Sequence, residues 1–228
     1  MESILAKYCR ACENPHIQVV QQPEHENFIF EMMAEHLKGR DGGPLRILDI
    51  GGGSGWDKLR GRFANVEYYI LDLELNNKEG KYIKGDITSK GLELPYEFDI
   101  VFTRDTFEHI LNPWDATTNV RNALKEGGLF VFLAPFSWRY HPVPFDTYRY
   151  SHTGARYIFE REGGMKNIFA GYIPYGPILG FWKNKKDCTH DRQPFPACLE
   201  TIYIAKKSSG YVFNLAELDS DFSPNHSG

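Results

Sequence analysis

The run Ile47-Leu-Asp-Ile-Gly-Gly-Gly-Ser-Gly55 carries the densest chemical signal in the chain. Leu45 to Ile50 is apolar enough for a short buried strand, with an acid, Asp49, at its end and glycine at 51, 52, 53 and 55. A strand feeding a glycine-rich turn ahead of a helix brings bare backbone against a nucleotide-like ligand. Glycine suits the turn because it accepts positive φ and because a Cβ would strike the ligand. Two more acids fall at comparable places. Val66 to Asp72 reads as a second strand, and Asp72 can accept from both ribose hydroxyls. Tyr82 to Ile87 reads as a short third strand, where Asp86 can accept from an adenine amino group and the Ile87 N–H can donate to the ring. One such acid alone is ordinarily a solvated turn residue; three at successive strand ends make a binding edge.

Loop detail selects the ligand. A pyrophosphate site wants G-x-G-x-x-G, and Trp56 stands where the third glycine would be; no G-x-x-x-x-G-K-[ST] is present for a triphosphate. Asp49 would repel a phosphate but suits a cation. S-adenosylmethionine has an α-ammonium, a sulfonium and no phosphate, so Asp49-x-Gly51-x-Gly53-x-Gly55 fits it best. Asp49 and Trp56 together disfavour a nicotinamide-dependent oxidoreductase.

Two further passages carry a resemblance. Phe98-Asp-Ile-Val-Phe-Thr-Arg-Asp-Thr-Phe-Glu-His-Ile-Leu-Asn-Pro-Trp114 and Ala123-Leu-Lys-Glu-Gly-Gly-Leu-Phe-Val-Phe-Leu-Ala-Pro-Phe136 are similar to the fourth strand and the helix-to-fifth-strand passage of class I S-adenosylmethionine-dependent methyltransferases of the type 11 group. The match spans about residues 44 to 170. It implies an α/β, Rossmann-like doubly wound sheet, mostly parallel with a final antiparallel strand. It also implies methyl transfer to oxygen or nitrogen. The expected acceptor is a small molecule or glycan-linked group, because the Asn/Asp-Pro-Pro-aromatic loop of amino-methylating nucleic-acid enzymes is replaced by Thr103-Arg-Asp-Thr. The alternative is a fold that binds the adenosyl ligand without turnover, as a regulatory or scaffold subunit.

Ala134 to Tyr150 follows the expected fifth strand, where open α/β sheets place their ligand crevice. Its prolines stiffen it, and its aromatic residues, Tyr140 and Tyr148 among them, suit a lid or substrate wall. It resembles a His-Pro-x-Pro-x-Asp-Tyr/Trp-x-Arg pattern in part of the type 11 group, here His141, Pro142, Pro144, Asp146, Tyr148 and Arg149. Methyl transfer from a sulfonium is an in-line displacement, which needs orientation and desolvation. A hydroxyl acceptor also needs a base, and histidine titrates in the right range. His141 is the first candidate, Asp146 can orient its imidazole or bind substrate, and Arg149 can hold an acceptor's carboxylate or phosphate. Equally, the three residues can simply tie the lid to the fold. His109 is the second candidate base, with Glu108 beside it as a substrate contact; the resemblance places this pair near the methyl-transfer channel.

These groups need a scaffold, and the pattern supplies one. Glu24 to Lys38 has a helical stripe of Phe28, Ile29, Met32, Met33, His36 and Leu37. A short helix is expected from Trp56 to Phe63. Asn112 can cap another, with Pro113 at its first turn and Gly127-Gly128 as a left-handed end. Leu129 to Phe136 reads as a central strand, Thr153 to Glu162 as a helix, and Met165 to Tyr172 with Leu199 to Lys206 as an antiparallel pair. The expected organisation is an N-terminal extension and helix over 1–43, a catalytic domain over 44–206 with a lid at 135–150 and an insertion at 173–197, and a frayed tail over 207–228.

At 228 residues the chain can bury one substantial core, and a net charge of −4 gives no reason to expect nucleic acid as a partner. No apolar run reaches membrane-spanning length and the polar N-terminus lacks a signal-peptide core, so a cytoplasmic protein is expected. Cys9-Arg-Ala-Cys12 has metal-ligand spacing, and Cys188, His190 and Cys198 are available to complete a site. A zinc module usually brings a second close pair, which is missing, so reduced thiols and no metal are expected. Oligomeric state is left open.

Overall fold

Leu45 and Ile47 pack into one apolar cluster while Leu48 and Ile50 pack into another. That split is the period-2 signature of a strand buried on both faces. The computed structural model describes residues 1–11, 18–21, 24–40, 42–52, 61–74, 81–142, 144–174 and 199–219. Its strands are β1 (Cys9–Ala11), β2 (Gln18–Val20), β3 (Leu45–Ile50), β4 (Val66–Asp72), β5 (Lys81–Lys84), β6 (Phe98–Arg104), β7 (Leu124–Ser137), β8 (Met165–Pro174) and β9 (Leu199–Lys207). Its α-helices are α1 (Glu2–Tyr8), α2 (His25–His36), α3 (Pro113–Ala123), α4 (His152–Arg156) and α5 (Leu215–Asp219). No helix among the described residues is long and apolar enough to cross a membrane.

The strands form one sheet in the order β1-β2-β8-β9-β7-β6-β3-β4-β5. From β7 to β5 all neighbours run parallel, and β9 lies antiparallel between β7 and β8. This is the expected α/β, Rossmann-like doubly wound sheet with an antiparallel strand. Phe28, Ile29 and Met33 of α2 cover one face; Ala116, Val120 and Ala123 of α3 cover the other. β4 and β5 build outward from one side of β3, and β6 and β7 from the other. The strand order therefore reverses between β3 and β6, and the carboxyl ends at such a reversal are where open α/β sheets bind ligands.

Several local expectations change. β1 and β2 were not legible: they are three residues each and join the sheet's edge, β2 pairing parallel to β8 at Val19–Tyr172. The third strand stops at Lys84, so Asp86 and Ile87 lie in the turn that follows it. Asn112 does cap α3, its side chain accepting the Asp115 N–H, but the helix ends at Ala123 and the chain is already paired with β6 at Leu124. Gly127 is left-handed, at φ +75°, in the bend that carries β7 onward. Ser151, rather than Thr153, caps α4, and the residues Tyr157–Glu162 form a π-helical turn instead of continuing it. Residues 56–60 of the expected short helix, 175–197 of the insertion and 220–228 of the tail lie outside the described residues.

The edge hairpin sits on a glycine. A Cβ at Gly171 in β8 would lie 2.4 Å from the Gln18 carbonyl oxygen. Gly171→Ala should therefore displace β2, raising amide exchange about tenfold or more across β1 and β2 while β3, β6 and β7 stay protected. Unchanged exchange at the edge would show that β2 tolerates the clash.

Candidate functional site

β3 ends at a turn that neighbouring groups leave no room to decorate. Gly51 has φ +73°, and a Cβ on it would stand 2.4 Å from Thr106 Oγ1. A Cβ on Gly52 would stand 2.5 Å from Asp49 Oδ2. The Gly51 N–H donates to the Leu71 carbonyl at 2.9 Å, which ties the turn to β4. Thr103 and Thr106 both donate their hydroxyls to the Ile50 carbonyl, at 3.3 and 3.2 Å.

The three predicted acids occupy the carboxyl ends of adjacent strands. Asp49 is buried and accepts from the Tyr68 hydroxyl. Burial pushes its carboxyl up to about 7; the Tyr68 hydrogen bond opposes this and Asp72 adds to it. Asp72 is partly buried at the end of β4, with Oδ1 accepting the Glu74 N–H at 3.3 Å. Asp86 is exposed, and its Oδ1 accepts from both the N–H and the hydroxyl of Thr88, each at 2.8 Å. Asn119 of α3 holds this turn by donating to the carbonyls of Ile87 at 2.7 Å and Ser89 at 2.9 Å. Asn119 was missed, although a buried-face amide between Ala116 and Val120 is a visible break in an apolar stripe. Gly53 and Gly55 lie outside the described residues.

Next to Thr106 a second cluster begins. Asp105 turns the chain with φ +51°, and the residues Phe107–His109 form a 3-10 turn that buries Glu108 completely. Neither Glu108 carboxylate oxygen has a hydrogen-bond partner. Desolvation pushes its carboxyl up to about 8. The segment after β7 crosses this turn as a strap. The Thr147 N–H and hydroxyl donate to the Glu108 carbonyl at 2.8 and 2.9 Å, and the Tyr150 hydroxyl donates to the Phe107 carbonyl at 3.1 Å. Thr201 of β9 anchors the strap's end by donating to the Tyr150 carbonyl.

The strap brings His141 to His109. Their rings meet edge to face, 5.0 Å between centroids, and each Nε2 is 3.6 Å from Glu108 Oε1. His109 Nδ1 donates to the Phe145 carbonyl, and His141 Nδ1 donates to the Arg139 carbonyl at 3.0 Å. Both Nε2 atoms are thereby left as the lone-pair nitrogens. Asp146 accepts the His141 backbone N–H at 2.7 Å and a two-pronged contact from Arg149. The Arg149 hydrogen bonds hold its carboxyl well below the usual carboxylate range. Arg149 and Asp146 thus neutralise one another within the strap. Tyr148 donates its hydroxyl to the Leu111 carbonyl at 3.2 Å, whereas Tyr140 is 72% exposed beside the half-exposed Trp138 and Phe145.

Of the cysteines only Cys9 is described; it is a partly buried free thiol, pushed up to about 11 by burial. Cys12, Cys188, His190 and Cys198 lie outside the described residues.

Residues 25–171 match the family model of a methyltransferase domain. No curated protein sequence matches the chain. Many solved structures share its fold. An S-adenosylmethionine-dependent methyltransferase from Clostridium acetobutylicum superposes with a TM-score of 0.51 at 15% identity, covering 80% of this chain and 90% of that one. One from Mesorhizobium loti gives 0.52 at 15% identity, covering 78% and 96%. Phosphoethanolamine N-methyltransferase 2 of Haemonchus contortus, solved with S-adenosyl-L-methionine, gives 0.51 at 18% identity, covering 78% of this chain and 52% of that one. At these identities the likeness is one of fold.

Asp49 makes stability depend on pH. Its folded value near 7 exceeds its unfolded value, so between about pH 4 and 7 the folded state holds a proton that the unfolded chain has lost. Stability is greatest below that window and falls across it, by at most roughly 4 kcal/mol. Glu108 acts in the same direction up to about pH 8. In ligand-free thermal melts, Asp49→Asn should leave a shallower decline in Tm from pH 4 to 7. A slope equal to wild type would show that Asp49 ionises normally.

Proposed function

Because this chain belongs to the methyltransferase domain family, whose methyl donor is S-adenosylmethionine, we propose that it methylates an oxygen or nitrogen of a small-molecule or glycan-linked acceptor. The observation that carries the reading is the meeting of His141, His109 and Glu108 beside the glycine turn. Thr106 touches Gly51 on one side and leads directly into the turn bearing Glu108 on the other. The proposed donor edge and the turn bearing Glu108 and His109 are thus joined through Thr106.

Asp72 accepts the ribose hydroxyls, and Asp86 with the Ile87 N–H addresses the adenine. Gly51 keeps the turn bare where the methionine moiety would lie, with the Asp49 carboxyl beneath it to answer the donor's positive charge. In the transfer step the acceptor's lone pair attacks the methyl carbon as the carbon–sulfur bond breaks, and that bonding pair stays on sulfur as a neutral thioether. The acceptor's proton passes to His141 Nε2, or to His109 Nε2, each 3.6 Å from Glu108 Oε1. Asp146 and Arg149 hold His141 in place. The strap leaves the rings of Trp138, Tyr140 and Phe145 exposed, apolar surface of the kind that stacks on the C–H face of a sugar or a compact metabolite. The net charge of −4 supports an acceptor other than nucleic acid.

Two variants separate donor binding from chemistry. Asp72→Ala should weaken S-adenosylmethionine binding in calorimetry by about 10- to 100-fold, the loss of hydrogen bonds to a charged group. Unchanged affinity would remove Asp72 from the donor site. His141→Ala, assayed with radiolabelled donor against metabolite extracts, should lower turnover by about 10²- to 10⁴-fold while donor affinity is retained. Wild-type turnover would assign His141 to the strap's structure alone.

A further inference from the structure

Three ligating groups converge where the strap crosses the turn after β6. The geometry points to a site for one divalent transition-metal ion, zinc or a similar borderline cation, held by Glu108, His109 and His141. One carboxylate oxygen and two imidazole nitrogens lie within 4.8 Å of one another. Glu108 Oε1 is 3.6 Å from each Nε2, beyond hydrogen-bond range. That gap is close to the separation of about 3.3 Å between two ligand atoms in a tetrahedral site with bonds of about 2.0–2.1 Å.

Orientation agrees with spacing. Each imidazole has its Nδ1 engaged, His109 by the Phe145 carbonyl and His141 by the Arg139 carbonyl, with Asp146 Oδ2 a further 3.3 Å contact. A carbonyl or carboxylate behind the ring is what fixes the tautomer of a metal-binding histidine and raises its basicity. The second observation is Glu108 itself, fully buried with neither oxygen hydrogen-bonded and with Oε1 facing both Nε2 atoms. Arg149 is engaged with Asp146 and leaves Glu108 without a hydrogen bond. A buried carboxylate in this condition is strongly stabilised by a bound cation. Three protein ligands leave a fourth position open to water or an acceptor oxygen; with the ion bound neither Nε2 is free to take the acceptor's proton, and the ion would instead acidify an acceptor oxygen at that position. The metal site lies within the methyl-acceptor region proposed above, and that consequence rests on the methyltransfer reading; the site itself does not. It also departs from the expectation of no metal, because that expectation weighed only the cysteine-centred set.

The test is direct titration of the full chain, after treatment with chelator, with Zn2+ and with Co2+ as a spectroscopic probe. Wild type should bind one ion at this site, with the absorption of a four-coordinate nitrogen–oxygen Co2+ centre. Glu108→Gln and His141→Asn should each weaken binding by at least about 10- to 100-fold. Cys9→Ser with Cys12→Ser should not. Absence of binding in wild type, equal affinity in the Glu108 and His141 variants, or loss only in the cysteine variant would each overturn the assignment. S-adenosylmethionine calorimetry on the same variants reports folding. A wild-type chain that binds the ion but not the donor would sink the function proposed above and leave the metal site standing.

Discussion

At the carboxyl ends of β3 and β6 the backbone of residue 51 approaches Thr106 too closely for any side chain. That approach organises what surrounds it. It forces Gly51 into left-handed backbone, seats the turn under the Leu71 carbonyl and positions Thr106 to bridge back to Ile50. From Thr106 the chain has two residues in which to reverse, and it does so through the turn that buries Glu108. The glycine turn and the Glu108 turn are consequently two sides of one tight crossing, set at the point where the strand order reverses.

Charge is handled differently on the two faces. Asp49 is buried beneath the turn against a tyrosine hydroxyl, a neutral partner that does not abolish the cost of ionising there. Glu108 is buried with no hydrogen-bond partner, facing two histidines. Asp146, by contrast, is fully ionised by a two-pronged arginine contact and a backbone N–H, and uses that stability to hold the strap's geometry. Buried carboxyls whose neighbours push them in opposite directions separate structural acids from those that await a cationic or proton-exchanging partner.

The sheet's far side serves this site indirectly. β9 enters antiparallel between β7 and β8, and its Thr201 fastens the strap at Tyr150. β1 and β2 then lie along β8, which covers an edge that would otherwise present unpaired backbone.

Patterns local in sequence were legible. Apolar runs marked β3, β4, β6 and β7, and the capping asparagine marked α3; the glycine spacing with Asp49, Asp72 and Asp86 marked the edge proposed for the donor. The strands β1 and β2 were not, because three residues without an apolar run carry no period to detect; they exist only because β8 offers an edge. The π-helical turn after Arg156 had no local signal either. His109 and His141 could each be named from the sequence, but nothing in it showed that they share one carboxyl, or that Arg149 is matched to Asp146. Local composition determines backbone conformation through sterics and periodic burial, so the chain alone decided its family, its sheet and its glycine turn. Which side chains face one another across 32 residues depends on how a strap closes over a turn, and only tertiary packing sets that distance.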